Sequence, residues 1–201
     1  FILPPASIAL SLLLGLLLCR VLRVEKQKTG LTSSVFSMSN TIIIGLPVCT
    51  AVFGEAGIPY VICYYAANTI IFWTVGANLI AADGGARFEF RLSALKRVFS
   101  PAIISFLLGL AVVLAKITVP GALLKAVSAL GALNTPLCMI IVGSMAAKIG
   151  LSEMFSLRRE GFLALSGRML FSPVILLALA LLLGVRALPA RVFLLMAAMP
   201  A

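Results

Sequence analysis

The feature that most constrains this chain is the stretch from Leu31 to Gly54, LTSSVFSMSNTIIIGLPVCTAVFG, an apolar run of membrane-spanning length with a proline in its interior. A proline inside a helix removes one N–H and drives its ring against the carbonyl four residues back, here that of Ile43, at a cost of about 3 kcal/mol. Glycine is favoured just past a helix end and proline at the start of the next helix, and Gly45-Leu46-Pro47 supplies both in that order. The expectation is a stop and a restart at Gly45-Leu46-Pro47, with two half-helices meeting inside the bilayer. Irregular backbone at that depth survives only where it is buried in protein or lines a cavity, and in transporters such breaks hold the substrate. Ser39, Asn40 and Thr41, in the last turns before the expected break, are then the polar groups placed to serve a site. The competing reading is a plain kink in a structural helix, since Gly and Pro are commoner in membrane helices than in soluble ones.

The rest of the chain is of the same kind. Hydrophobic residues make up 62% of it and charged residues 11%, against roughly 45–50% and 25% in soluble domains, and the mean hydropathy is +1.19. The expected class is an all-α polytopic membrane protein. Starting at Phe1 and stopping at Ala201 within an apolar run, the chain reads as a fragment of something longer. The net charge of +10 does not point to nucleic acid, because the bases sit in short blocks between apolar spans. There is no His, which excludes imidazole chemistry from these residues. Cys19, Cys49, Cys63 and Cys138 stand singly in apolar surroundings, as small buried hydrophobes rather than a disulfide or metal framework.

The spans sort the charges. Phe1 to Cys19 is followed by the basic loop Arg20 to Lys28, the interrupted segment, a tight turn at Gly54 to Gly57, and a span from Ile58 to Ala82. In the loop 83–100, Phe88, Leu92, Leu95 and Phe99 recur at helical spacing opposite four bases, which predicts a short amphipathic helix on an anionic leaflet. Then come Pro101 to Lys116, a span from Leu123 to Ala147 interrupted at Asn134-Thr135-Pro136, a span from Gly161 to Gly184, and a segment beginning at Arg191. Alternation puts Arg20, Arg23, Lys26, Lys28, Arg87, Arg91, Lys96, Arg97, Lys148, Arg158 and Arg159 on one side, and only Lys116, Lys125, Arg186 and Arg191 on the other. The crowded side is expected to be cytoplasmic. This organises the chain as residues 1–82, a cytoplasmic loop 83–100, and residues 101–201.

A weak internal repeat relates the two ends. PASIALSLLLGLLL (from Pro5) and PVILLALALLLGV (from Pro173) share an opening proline, an Ala/Leu body and a late Gly, and each precedes an apolar segment with its own proline, Pro47 or Pro200. Interrupted segments at corresponding positions of two halves point to a transporter site. Chance similarity between Leu-rich spans is the competing account.

Polar residues inside the spans narrow the site. Asn40, Asn68, Asn78 and Asn134 all lie within apolar segments, and three of them begin an Asn-Thr pair. A membrane amide either hydrogen-bonds across helices or faces a polar cavity. For any single Asn both readings stand, whereas three Asn-Thr pairs, two of them close to a proline, favour a shared site. Tyr60, Tyr64 and Asn68 share one helix face. Half-helix ends with partial charges of about half an electron suit an anion at the positive ends, held by neutral amides without a fixed countercharge. Arg168 sits inside a span near its basic end, where snorkelling to the cytoplasmic interface is its expected role. Gly15, Gly109 and Gly143 are expected at close helix contacts. Asp83 ends a span without an evident partner, and no acid lies deep in any span. Neither a nucleophile with its base nor an acid pair stands within the spans, so an enzyme is not expected, and no cofactor or metal is implied.

SNTIIIGLP followed by AVFGEAG resembles the first crossover segment of the auxin efflux carrier family. YYAANTIIFWTVG resembles the family's next helix, SPAIISFLLGL the start of its second repeat, LGALNTPLCMIIVGSMA the helix after that, and AAMPA the opening of the second crossover. The resemblance implies an inverted-repeat transporter of ten helices with broken crossover helices, of which this chain would hold the third helix through the start of the ninth. It implies a secondary transporter of bacterial type, exporting or exchanging small organic anions, auxin-like or dicarboxylate, by alternating access. The setting would be the cell membrane, the inner membrane in a bacterium, with the bilayer as partner and a homodimer among the assemblies allowed. By resemblance Asn40, Gly45 and Pro47 belong to the first crossover, Asn68 to the following helix and Pro200 to the second crossover, and Thr41 and Asn134 join them as substrate-site candidates. The short loop 83–100 is similar to that of compact microbial members. A bile-acid-type sodium symporter is the second reading and would show acidic sodium ligands near the breaks. A non-transporting membrane subunit and an intramembrane enzyme rank below it.

Overall fold

The computed structural model describes residues 2–85, 101–148 and 158–201. The amphipathic helix expected at Phe88 to Phe99, and most of the loop that holds it, lie outside the described residues. Helix α1 (Leu3–Val21) opens on Pro4-Pro5, where a missing N–H costs nothing because first-turn donors have no helical acceptor. Helix α2 (Lys26–Ser37) leaves helical geometry at Met38, with φ −103° and ψ 143°. The chain restarts through a π turn at Thr41–Gly45 into α3 (Leu46–Phe53). Helix α4 (Ile58–Ile71) continues through a second π turn, Phe72–Gly76, into α5 (Ala77–Asp83). Helices α6 (Pro101–Leu114), α7 (Gly121–Ala132) and α8 (Asn134–Lys148) come next. Helix α9 (Arg159–Ser166) passes through a third π turn, Gly167–Phe171, into α10 (Ser172–Leu182), and α11 is Ala187–Ala198. The described residues are helical with no strand, and four stretches, Leu3–Val21, Lys26–Phe53, Glu55–Asp83 and Arg159–Leu182, are long and apolar enough to cross a membrane. The chain is an all-α polytopic membrane protein.

It divides into two compact units, one of residues 1–90 with 157–201 and one of residues 91–156. In the second unit the expected interruption falls at Leu133, between α7 and α8, and the Asn134 side chain lies outside the described residues. In the first unit α11 sits in the core, where Val192 and Met196 are fully buried against Leu12 of α1, Cys49 of α3, Tyr64 of α4 and Leu176 of α10. Helix α1 buries a row of small residues four apart, Ser7, Ser11, Gly15 and Cys19, which lets neighbouring backbones approach, while Leu10, Leu13 and Leu17 face outward as lipid demands. Gly15 stands against Phe36 as expected; at Gly109 and Gly143 an added Cβ would meet no described atom within 4 Å.

The break in the first interrupted segment exists, but it lies earlier than the proline suggests. Gly45 (φ −64°, ψ −45°) and Leu46 (φ −63°, ψ −51°) are helical, and Pro47 is an exposed residue in the first turn of α3. The π turn explains why. Gly45 N–H reaches the Asn40 carbonyl five residues back, at 3.1 Å, and this wider turn gives the proline ring room, so the helix runs through Pro47. The same arrangement recurs at Gly167–Phe171, directly ahead of Ser172-Pro173. The chain leaves helical form at Met38-Ser39-Asn40 instead, and Asn40 caps the π turn, its Oδ1 accepting from Ile43 N–H at 3.1 Å. Met199, the residue before Pro200, is extended (φ −67°, ψ 145°), as the proline ring requires, so α11 ends there.

Asp83 is not without a partner. Its carboxylate accepts from Gly30 N–H at 2.8 Å and from Leu31 N–H at 2.7 Å, toward the positive end of α2. The two helices meet so closely that a Cβ on Gly30 would overlap the Leu79 carbonyl, and only glycine fits there.

Candidate functional site

The break at Met38 to Asn40 touches the end of α11. Asn40 N–H donates to the Pro200 carbonyl at 2.7 Å, joining the restart of the interrupted segment to the residues that follow α11. Asn40 falls midway along Lys26–Phe53, and Asn68 midway along Glu55–Asp83, so both lie at the middle of their spans. Asn68, 9% exposed, clamps the break from α4: its Oδ1 accepts from Ser39 N–H at 3.2 Å and its Nδ2 donates to the Ser39 carbonyl at 3.1 Å. One amide thereby satisfies both polar groups of a residue that has left the helical ladder, as membrane depth requires. Tyr64 shares the buried face with Asn68, and half-buried Tyr60 meets Phe193 edge-on with ring centroids 6.0 Å apart.

The carbonyls freed at the two helix ends converge on one cation. Arg168, 1% exposed, donates from Nε to the Met199 carbonyl at 2.6 Å, from Nη1 to the Ser37 carbonyl at 2.7 Å, and from Nη2 to the carbonyls of Met196, at 3.0 Å, and Ala197. Ser172 Oγ donates to the Phe36 carbonyl at 3.1 Å, taking a further orphan of α2. Snorkelling is therefore not what Arg168 does, and the expectation of a site without a fixed charge is corrected: a buried guanidinium stands at the crossing. The physical reason is that the last carbonyls of two helices, buried or partly buried here, need donors to replace the helical ladder.

Of the residues singled out from sequence, the structure brings Asn40, Thr41, Gly45, Asn68 and Pro200 to this crossing. Thr41 is 3% exposed. At Gly45 an added Cβ would lie 2.9 Å from Met196 Sδ, so the flexible end of the Met196 side chain of α11 would have to shift to admit it. Pro47 is exposed and lends the site no group, and Asn134 belongs to the other unit. Arg168 and Ser172 were missed as site residues. A signal for the true break was present, since Asn is a favoured helix N-cap and Asn40 precedes the apolar run. Two polar groups are left over here: the buried Ser39 Oγ has no partner among the described residues, and the Asn40 Nδ2 donors form no hydrogen bond among them.

The crossing thus combines a helix interruption at mid-span, the end of α11, a buried cation, and unspent neutral donors. No curated protein and no solved structure matches the chain. The family described as membrane transport protein matches residues 3–201. With that match covering almost its whole length, the chain belongs to this membrane transport family, the auxin efflux carrier type.

Proposed function

We propose that this protein is a secondary transporter that exports or exchanges small organic anions, auxin-like or dicarboxylate, by alternating access across the cell membrane. The observation that carries the reading is the hydrogen bond between the break and the proline that stops α11, Asn40 N–H to the Pro200 carbonyl at 2.7 Å, at the middle of the membrane-length span Lys26–Phe53. Binding sites of broken-helix transporters form where two such interruptions cross, with the positive half-helix ends toward anionic groups. A carboxylate would be received by the Asn40 Nδ2, the Ser39 hydroxyl and the N–H groups that open the π turn at Thr41. Asn68 would hold the break in shape. The neutral donors suit both a carboxylate and a carbonyl, and the guanidinium of Arg168 biases the crossing toward anions.

The test is exchange of labelled malonate, malate and indole-3-acetate by the full-length protein in liposomes. Asn40→Ala should lower exchange about tenfold or more, the scale of a lost charge-assisted hydrogen bond, while the protein stays folded in detergent with its melting temperature lowered only by the lost cap to Ile43 N–H. Unchanged exchange kinetics in Asn40→Ala would remove the residue from the site. Transport of neutral or cationic solutes without any of the three anions would overturn the anion reading.

A further inference from the structure

The four oxygens around Arg168 form an unusual set. They are the carbonyls of Ser37, Met196, Ala197 and Met199, drawn from the negative ends of α2 and α11, and the first of them lies 131 residues from the arginine in sequence. Unwound carbonyls and half-helix C-terminal ends are the groups with which broken-helix transporters coordinate inorganic coupling cations. Here four of the five guanidinium N–H donors fill that cage, and Tyr64 lies beside the group. No carboxylate neutralises it: the ion pairs among the described residues are those of Lys28 with Glu25 and with Glu160. Arginine suits the task because its planar fork serves several carbonyls at once and it stays charged when buried. The π turn Gly167–Phe171, which holds Arg168, ties the cation to the scaffold.

We propose that Arg168 is a tethered cation, occupying the carbonyl cage at the crossing in place of an inorganic ion and giving the transported anion a permanent countercharge. The proposal rests on reading the crossing as the transport site. It implies that no alkali cation binds at this cage while the arginine is present. It also implies that removing the side chain uncovers a cavity selective for small cations, guanidinium first.

The experiment uses the full-length protein in detergent and in liposomes. Replacing Na+ by K+ or choline at constant ionic strength should leave the parent's melting temperature unmoved. Arg168→Ala should melt lower and lose exchange by about tenfold or more, the loss expected when charge-assisted hydrogen bonds to buried carbonyls are removed. Millimolar guanidinium or methylguanidinium should then raise its melting temperature saturably, and urea at the same concentration should not. A saturable Na+ shift in the parent would overturn the proposal, and so would an Arg168→Ala protein that is as stable as the parent and indifferent to every cation. If Arg168→Ala does not fold, Arg168→Lys and Arg168→Met decide: anion exchange should survive in the lysine variant and collapse in the methionine variant, and equal exchange in the two would overturn the proposal. Thermal rescue by guanidinium in a protein that exchanges no carboxylate would uphold the tethered cation and sink the anion-transport reading instead.

Discussion

Asn68→Ala removes the side chain that satisfies both polar groups of Ser39, at 3.2 Å on the donor side and 3.1 Å on the acceptor side. Interhelical hydrogen bonds in membranes average about 0.6 kcal/mol by mutant cycles, which would make the pair worth about 1.2 kcal/mol. That average covers side chains which find other partners after mutation. The Ser39 main chain has no such freedom, because its φ and ψ are held by the break, and a buried group stranded without a partner costs about 1–3 kcal/mol. For the two groups of Ser39 the expected loss is therefore about 2–6 kcal/mol. Asn78 supplies the control, since it is equally buried (8% against 9% exposed), but its Nδ2 donates to the Thr74 carbonyl of its own helical segment at 2.7 Å. Asn78→Ala removes one bond to a carbonyl of the π turn Phe72–Gly76, within the same helical segment, and should cost about 0.6 kcal/mol. Reversible unfolding by SDS titration in mixed micelles measures both. Values for the two variants within about 0.5 kcal/mol of each other would refute the view that Asn68 holds the break together.

Two further expectations concern close approaches and topology. An added Cβ at Gly30 would overlap the Leu79 carbonyl and one at Gly167 would overlap the Phe36 ring, so both alanine variants should lose about 1–3 kcal/mol, read as a fall in melting temperature. Phe36→Leu should recover part of the loss for Gly167→Ala, whose obstacle is a side chain; no side-chain change should rescue Gly30→Ala, whose obstacle is backbone. Exposed Gln27 lies in the first turn of α2 between basic residues, so a Gln27→Cys protein should be modified by an impermeant thiol reagent only from the cytoplasmic side. Modification from outside would reverse the assigned orientation.

Much of the helical architecture was legible because lipid leaves few choices: long apolar runs must be helices, and amides inside them must find partners. Asn40, Asn68 and Pro200 stand out in the sequence on that ground, whereas their mutual contacts do not. The break lies away from the most visible local signal, the proline. Pro47 lacks one donor and crowds one carbonyl, and a π turn ending at Gly45 accommodates both, so the proline sits within a continuing helix.

The sequence by itself determined helical structure, the spanning length of Leu3–Val21, Lys26–Phe53, Glu55–Asp83 and Arg159–Leu182, and the proline that stops α11, since these depend on hydrophobicity and on sterics between near neighbours. Only the tertiary structure decided where α2 ends and what Arg168 does. A helix can open inside a membrane only where donors and acceptors from elsewhere replace the ladder it gives up. At Ser37 to Asn40 those replacements come from Asn68, Arg168 and Pro200, distant in sequence and adjacent only once the helices have packed.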